Sequence, residues 1–184
     1  MSEKIITPTF HISYPQVFEP KANDQGEFFY SASFVFPAGT DLSKLKEAAV
    51  EAGREKFGTK FDAGVKAGTY KLPFRTDTED KGYPEGATFF SAKTKTKPGI
   101  VSRYPGPDNK PQAIHDEDAV YPGALFRASI RFYGYEAKGN KGVGVALNNL
   151  QKVGDSDRWD GRMKAEDEFE ADSDEAAGGN DLLD

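Results

Sequence analysis

Arg127, Ser129, Arg131, Tyr133 and Tyr135 fall on alternate positions of the run Leu125-Phe126-Arg127-Ala128-Ser129-Ile130-Arg131-Phe132-Tyr133-Gly134-Tyr135. Successive side chains of a strand point to opposite faces. This spacing therefore gathers two guanidinium groups and two phenol rings on one side, and Phe126, Ala128, Ile130 and Phe132 on the other. A guanidinium fork matches phosphate oxygens, and a flat ring gives a nucleobase a surface to stack on. A second run repeats the chemistry, because Phe89, Ser91, Lys93, Lys95 and Lys97 share one face of a strand over about 87–97. Arg103 and Tyr104 follow it, and no acidic residue occurs from Ala87 through Pro107. The candidate phosphate contacts are thus Lys93, Lys95, Lys97, Arg103, Arg127 and Arg131, and the candidate stacking rings are Phe89, Tyr104, Tyr133 and Tyr135.

Cationic groups beside rings suit single-stranded nucleic acid. Stacking contributes roughly 1–3 kcal/mol per base and tolerates any sequence. Duplex recognition instead places a helix or ribbon against groove edges. Two plainer roles compete. Lysines on an edge strand guard against sheet-to-sheet aggregation, and the arginines and tyrosines of 125–135 also serve as cross-strand pairs on a solvated sheet.

The elements that must hold these residues read mainly as strands. Phe10, Ile12 and Tyr14 alternate with His11 and Ser13; Phe28, Tyr30, Ala32, Phe34 and Phe36 follow the turn Asn23-Asp24-Gln25-Gly26; Tyr70, Leu72 and Phe74 alternate over 69–75. With 87–97, 124–136 and 142–150, that makes six strands. One helix is expected, with Asp41 as its cap, Leu42, Leu45, Ala49, Ala52 and Lys56 at helical spacing, and Gly58 at its end. Gly53 weakens its interior. The helix charges balance, so it carries a solvated face and no basic patch. Residues 98–123, with Pro98, Pro105, Pro107, Pro111 and Pro122, read as one long loop, either functional or ornamental. The fold class is all-β, a barrel or sandwich of about five to six strands with one helix.

Charge divides the chain. Of 184 residues, 24 are Lys or Arg and 30 are Asp or Glu, and the last twenty hold nine of the acids and no base. Without them, 24 basic residues face 21 acidic ones, so a mildly basic body carries an acidic tail. The tail is too poor in apolar side chains to offset the entropy of ordering, so disorder is expected. A solubility role is the bland alternative.

Several chemistries find no support. With no cysteine, thiolate metal sites and cysteine nucleophiles are excluded, and His11 and His115 lie far apart. No apolar run is long enough for a membrane helix, and Met1–Pro8 lacks the core of a secretory signal. Asp116, Glu117 and Asp118 invite a Mg²⁺ nuclease reading, but neighbouring acids in a strand or turn diverge. Asp155, Asp157, Asp160 and Glu166 mimic a calcium loop with the glycine, Gly161, one place too late. Gly134 to Gly139 has phosphate-loop spacing, yet Asn140 stands where Lys is needed. Trp159, beside Arg158 and Arg162, is either a packing lid or another stacking ring.

Three segments carry a family resemblance: Ile114-His115-Asp116-Glu117-Asp118-Ala119-Val120-Tyr121-Pro122-Gly123, the Arg127–Tyr135 strand, and Lys141-Gly142-Val143-Gly144-Val145-Ala146-Leu147-Asn148-Asn149-Leu150-Gln151-Lys152-Val153. They resemble a family of tailed-phage proteins first catalogued as a domain of unknown function and later recognised as single-stranded-DNA-binding proteins. With the tail, the resemblance spans nearly the whole chain, the first 85 residues by pattern alone. It implies a variant OB-fold barrel, roles in DNA replication and recombination, and a flexible acidic C-terminus that contacts replisome proteins such as a polymerase or helicase. Two features depart from it. Many such tails end in an aromatic residue, whereas this one ends Asp181-Leu182-Leu183-Asp184, and a simple OB-fold places its helix between its third and fourth strands.

The combined expectation is an OB-fold-like single-stranded-DNA-binding domain over 1–160 and a disordered acidic tail over 161–184. The tail's partner-binding residues would be Glu166, Asp167, Glu168, Glu170, Asp172, Asp174, Glu175, Asp181, Leu182, Leu183 and Asp184. No catalysis, cofactor, metal or membrane is expected, and the place of action is the cytoplasm of the infected bacterial host. A phage assembly protein is the alternative, with a metal-dependent nuclease behind it.

Overall fold

In the computed structural model, residues 3–159 are described. Eight strands join one sheet: β1 (Ile5–Ile6), β2 (Phe10–Ala22), β3 (Phe28–Phe36), β4 (Thr88–Thr94), β5 (Gly99–Pro105), β6 (Pro111–Ala113), β7 (Leu125–Ala137) and β8 (Asn140–Gly154). Their order is β1-β7-β2-β3-β4-β8-β5-β6, and β7 also pairs with β8. Hydrogen bonding therefore runs in a circuit through β2, β3, β4, β8 and β7. The circuit closes by thin seams: β2 meets β7 at Phe10 and His11, and β4 meets β8 in parallel at Lys93 and Ala146. A five-stranded, partly open ring of this kind is OB-type architecture.

Aromatic residues fill the ring. Phe10, Phe34, Phe36, Phe90, Phe126 and Phe132 are fully buried, and Phe10 stacks on Phe34 at 4.0 Å between centroids. Burying each such ring is worth roughly 1.5–3 kcal/mol, so a chain short of aliphatics still builds a core. Helix α1 (Ser43–Phe57) adds Leu45, Ala49 and Ala52 to that core. Asp41 stands at its start, accepting from the Ser43 backbone N–H at 3.1 Å and hydroxyl at 2.7 Å, and Gly58 ends it.

Three expectations need correction. A second helix, α2 (Lys60–Ala67), follows α1, and Gly53 is explained by it: a Cβ there would collide with the Phe61 ring. Residues 69–75 form no ladder, only single bridges from Lys71 to Gly142 and from Arg75 to Phe89, because β4 and β8 already pair with each other above them. The expected loop 98–123 contains β5, β6 and a short 3-10 turn at Glu117–Ala119; its prolines sit at strand ends and edges, where no ladder donor is required. Both helices fall between the second and third ring strands, so the topology is indeed a variant of the simple OB arrangement.

Candidate nucleic-acid interface

The outer side of β3 and β4 holds the most open set of rings and cations. Lys93 Nζ lies 4.8 Å, and Lys95 Nζ 5.5 Å, from the centroid of Phe29, a half-buried ring at the start of β3. On β2, Lys21 is the direct partner of Phe29, and cross-strand partners share a face. Lys21, Lys93, Lys95 and Lys97 are all exposed. Along the same surface Ser33 and Ser91 share a hydrogen bond at 3.0 Å, leaving it polar and uncharged beyond the lysines. Lys95 also meets Glu27 at 3.2 Å, and that contact holds the Glu27 carboxyl below its ordinary range.

Neither Phe29 nor Lys21 was among the residues singled out from sequence. Phe29 sits at an outward position of a strand whose inward set had claimed attention. The signal that could have found it is an aromatic residue at a solvent-side position, a few residues beyond a turn. Tyr14 was misplaced as well. Its alternation with Phe10 and Ile12 predicts a core position, but β2 shifts register between Ser13 and Gln16. Tyr14 stands in that bulge with φ 45° and is 67% exposed. A non-glycine residue in this conformation is uncommon, and such strain clusters at ligand-contacting sites.

The two expected ribbons are not neighbours. β8 lies between β4 and β7, so Lys93 and Arg131 flank Ala146, each its direct partner, about 10 Å apart at the usual strand spacing. Arg131 is exposed and makes no ion pair or hydrogen bond among the described residues. Arg127 is half-buried, and its Nε donates to Gln151 Oε1 at 2.7 Å. Tyr133 lies against Gly144, where a Cβ would come within 2.7 Å of its ring, and burial raises the pKa of its phenol. Tyr135 is half-buried two positions on. Arg103 donates to the Val153 carbonyl at 3.2 Å, and beside it Tyr104 is 67% exposed on β5.

Phe89 does face outward on β4, as the alternation requires, yet it is covered. Tyr83 packs its edge at 5.0 Å, Arg75 and Lys81 lie over it, and only 3% of it is exposed. It belongs to a small outer cluster with Val35 and Ala87, against which Tyr83 and Trp159 pack. It offers no open face for a base. Trp159, whose ring lies 4.7 Å from the His11 ring and whose backbone N–H donates to the Pro122 carbonyl, is a lid on that cluster.

The acidic trio is put to local use: Asp116 accepts from the Asp118 backbone N–H at 2.9 Å and caps the 3-10 turn. Among the described residues no group of three or more His, Asp or Glu side chains is placed to hold a metal ion, and no helix is long and apolar enough to cross a membrane. The expected tail residues, Glu166 to Asp184 with Leu182 and Leu183, lie outside the described residues.

Comparison with known proteins adds the following. Residues 3–179 match the family described as Enterobacter phage Enc34, ssDNA-binding protein. No curated protein matches the sequence. Among solved structures, the single-stranded DNA-binding protein from bacteriophage Enc34 in complex with ssDNA superposes with a TM-score of 0.70 at 20% identity, covering 85% of this chain and 89% of that one. The gp2.5 single-stranded DNA binding protein of bacteriophage T7 superposes with a TM-score of 0.61 at 13% identity, covering 89% and 99%.

Proposed function

Since the chain belongs to the family of phage single-stranded-DNA-binding proteins represented by that of Enterobacter phage Enc34, we propose that it coats single-stranded DNA without sequence preference and without catalysis. The observation that carries this reading is Phe29 with Lys93 and Lys95 over its face and Lys21 opposite, on the outer side of β3 and β4. That is the side by which OB barrels take oligonucleotides. Ring and cations together supply both halves of single-strand binding, a stacking platform and a track for phosphates.

In this reading Lys21, Lys93, Lys95 and Lys97 engage phosphates on the β3–β4 side, and Arg131 does so across β8. Arg103 and Arg127 supply positive field, since the Val153 carbonyl and the Gln151 amide they bond leave their charge in place. Phe29, Tyr14 and Tyr104 are the stacking rings; Tyr133 and Tyr135 contribute at the margin, and Phe89 is a packing residue. Five phosphate contacts correspond to a slope no steeper than about −3.5 in log affinity against log salt, from about 0.7 per contact.

The acidic segment 161–184 competes for the same cations as an intramolecular polyanion, at the high effective concentration that a tether confers. Once DNA displaces it, its acids and Leu182-Leu183 engage replication proteins such as a polymerase or helicase. The setting is the cytoplasm of the infected host, in replication and recombination.

Titration of labelled oligo(dT) and of a duplex of equal length, each with and without Mg²⁺, tests the function. Tight binding of intact oligo(dT) with a steep salt response is expected. Cleavage in Mg²⁺ would establish the nuclease, and absence of binding would favour an assembly protein.

A further inference from the structure

Lys95 does not stand alone on the proposed DNA side of the ring. Its Nζ lies 3.2 Å from Glu27 Oε2, with both side chains exposed. Glu27 closes the turn between β2 and β3, where Asn23 Oδ1 accepts the backbone N–H groups of Gln25 and Glu27, each at 2.9 Å. That brace fixes the backbone from which the carboxylate extends. Lys93 and Lys95 meanwhile hold their ammonium groups over Phe29. In the free protein the open ring face is therefore taken by two cations, one of them neutralised by an acid.

A carboxylate oxygen and a phosphate oxygen are interchangeable acceptors for an ammonium group. We propose that Glu27 occupies the phosphate position of this subsite in the free protein, parking Lys95 over Phe29 until a DNA phosphate replaces the carboxylate and a base replaces the cations on the ring. This rests on the reading that single-stranded DNA lies across β3 and β4. Glu27 is then a positioning residue: it sets the threshold for occupancy by acting on Lys95, and its own contact with DNA is repulsive. An exposed glutamate is ionised at neutral pH, and the hydrogen bond from Lys95 lowers its pKa further.

Two consequences separate this role from the general repulsion between any acid and DNA. Removing the Glu27 charge tightens binding through Lys95, by about two- to five-fold, the range exposed ion pairs support. It also steepens the salt slope by up to about 0.7, because Lys95 then exchanges a mobile counterion for phosphate where before it exchanged an internal one. Neither change survives the loss of Lys95.

The experiment is fluorescence anisotropy of labelled oligo(dT) over a salt series, with full-length wild type, Glu27→Gln, Lys95→Met, the double variant, and Asp24→Asn as an acid of the same turn. The expected result is tighter and more salt-dependent binding by Glu27→Gln, a clearly smaller effect of Asp24→Asn, and no effect of Glu27→Gln in the Lys95→Met background. Equal effects of the two acid variants, a Glu27→Gln effect that persists without Lys95, or unchanged affinity would each overturn the proposal while wild-type binding stands. Failure of the wild type to bind oligo(dT) would instead remove the functional reading, and this inference with it.

Discussion

β4 and β7 carry the same alternation of apolar residues with bases and rings, yet they present very different surfaces. On β4 and the bend after it, Lys93, Lys95 and Lys97 stand in solvent beside Phe29. On β7, Arg127 is turned into a hydrogen bond with Gln151 and Tyr133 lies down on Gly144, so Arg131 alone among the four expected contacts is fully exposed. The difference comes from the neighbours. β7 is paired with β8 along its whole length, and β8 offers glycines and an amide that accept long side chains against the sheet. β4 meets β8 at the single position of Lys93, and Lys95 and Lys97 extend past the end of the ladder. Alternation decides which side of a sheet a residue takes; the adjacent strand decides whether that residue remains available to a ligand.

The largest expected effect sharpens this contrast at the rings. Phe29→Ala should weaken oligo(dT) binding by about 1–3 kcal/mol, the worth of one stacked base, while Tyr133→Ala should weaken it by less; equal losses in anisotropy titrations would erase the distinction between the two strands. Next comes charge. Replacing Lys93 and Lys97 together by Met should reduce the steepness of the salt dependence by about 1.4, two contacts at about 0.7 each. On β7, Arg131→Met should reduce it by about 0.7. Arg127→Met should leave the slope close to wild type and lower stability by about 0.5–1.5 kcal/mol, the value of a hydrogen bond, read by urea unfolding. A larger slope change at Arg127 than at Arg131 would invert the comparison. The smallest effect at physiological salt is deletion of residues 165–184, which should tighten binding chiefly at low salt, where charges are least screened. Unchanged or weaker binding at low salt would remove the competing-tail mechanism.

Much of the ring was legible because its strands are amphipathic and bounded by turn residues. Ala32, Phe34 and Phe36, like the run Leu125 to Tyr135, follow their expected faces, whereas Phe28 at the start of β3 is exposed, and Gly58 ends α1 where its conformation demands. The failures are equally physical. Tyr14 escaped because a bulge resets the two-residue period, and nothing local to Ser13-Tyr14-Pro15-Gln16 fixes its position against β3. Residues 69–75 alternate convincingly but divide between two strands, Lys71 bridging Gly142 and Arg75 bridging Phe89, so neither contact extends into a ladder. Phe89 obeys its alternation and is nevertheless lost as a stacking ring, because Tyr83 from the preceding turn and Trp159, remote in sequence, close over its cluster.

The sequence by itself determined which residues pair chemically with phosphate and base, which side of each strand they take, and that an acidic segment opposes a basic body; these follow from side-chain chemistry, period and net charge, all local quantities. The tertiary structure alone decided which of those residues stay exposed, that β8 separates the two ribbons, and that Phe29, Lys21 and Glu27 join the lysines. Those outcomes depend on contacts between β2, β3, β4 and β8 that are distant in the chain, and the packing of the partly open ring selects them.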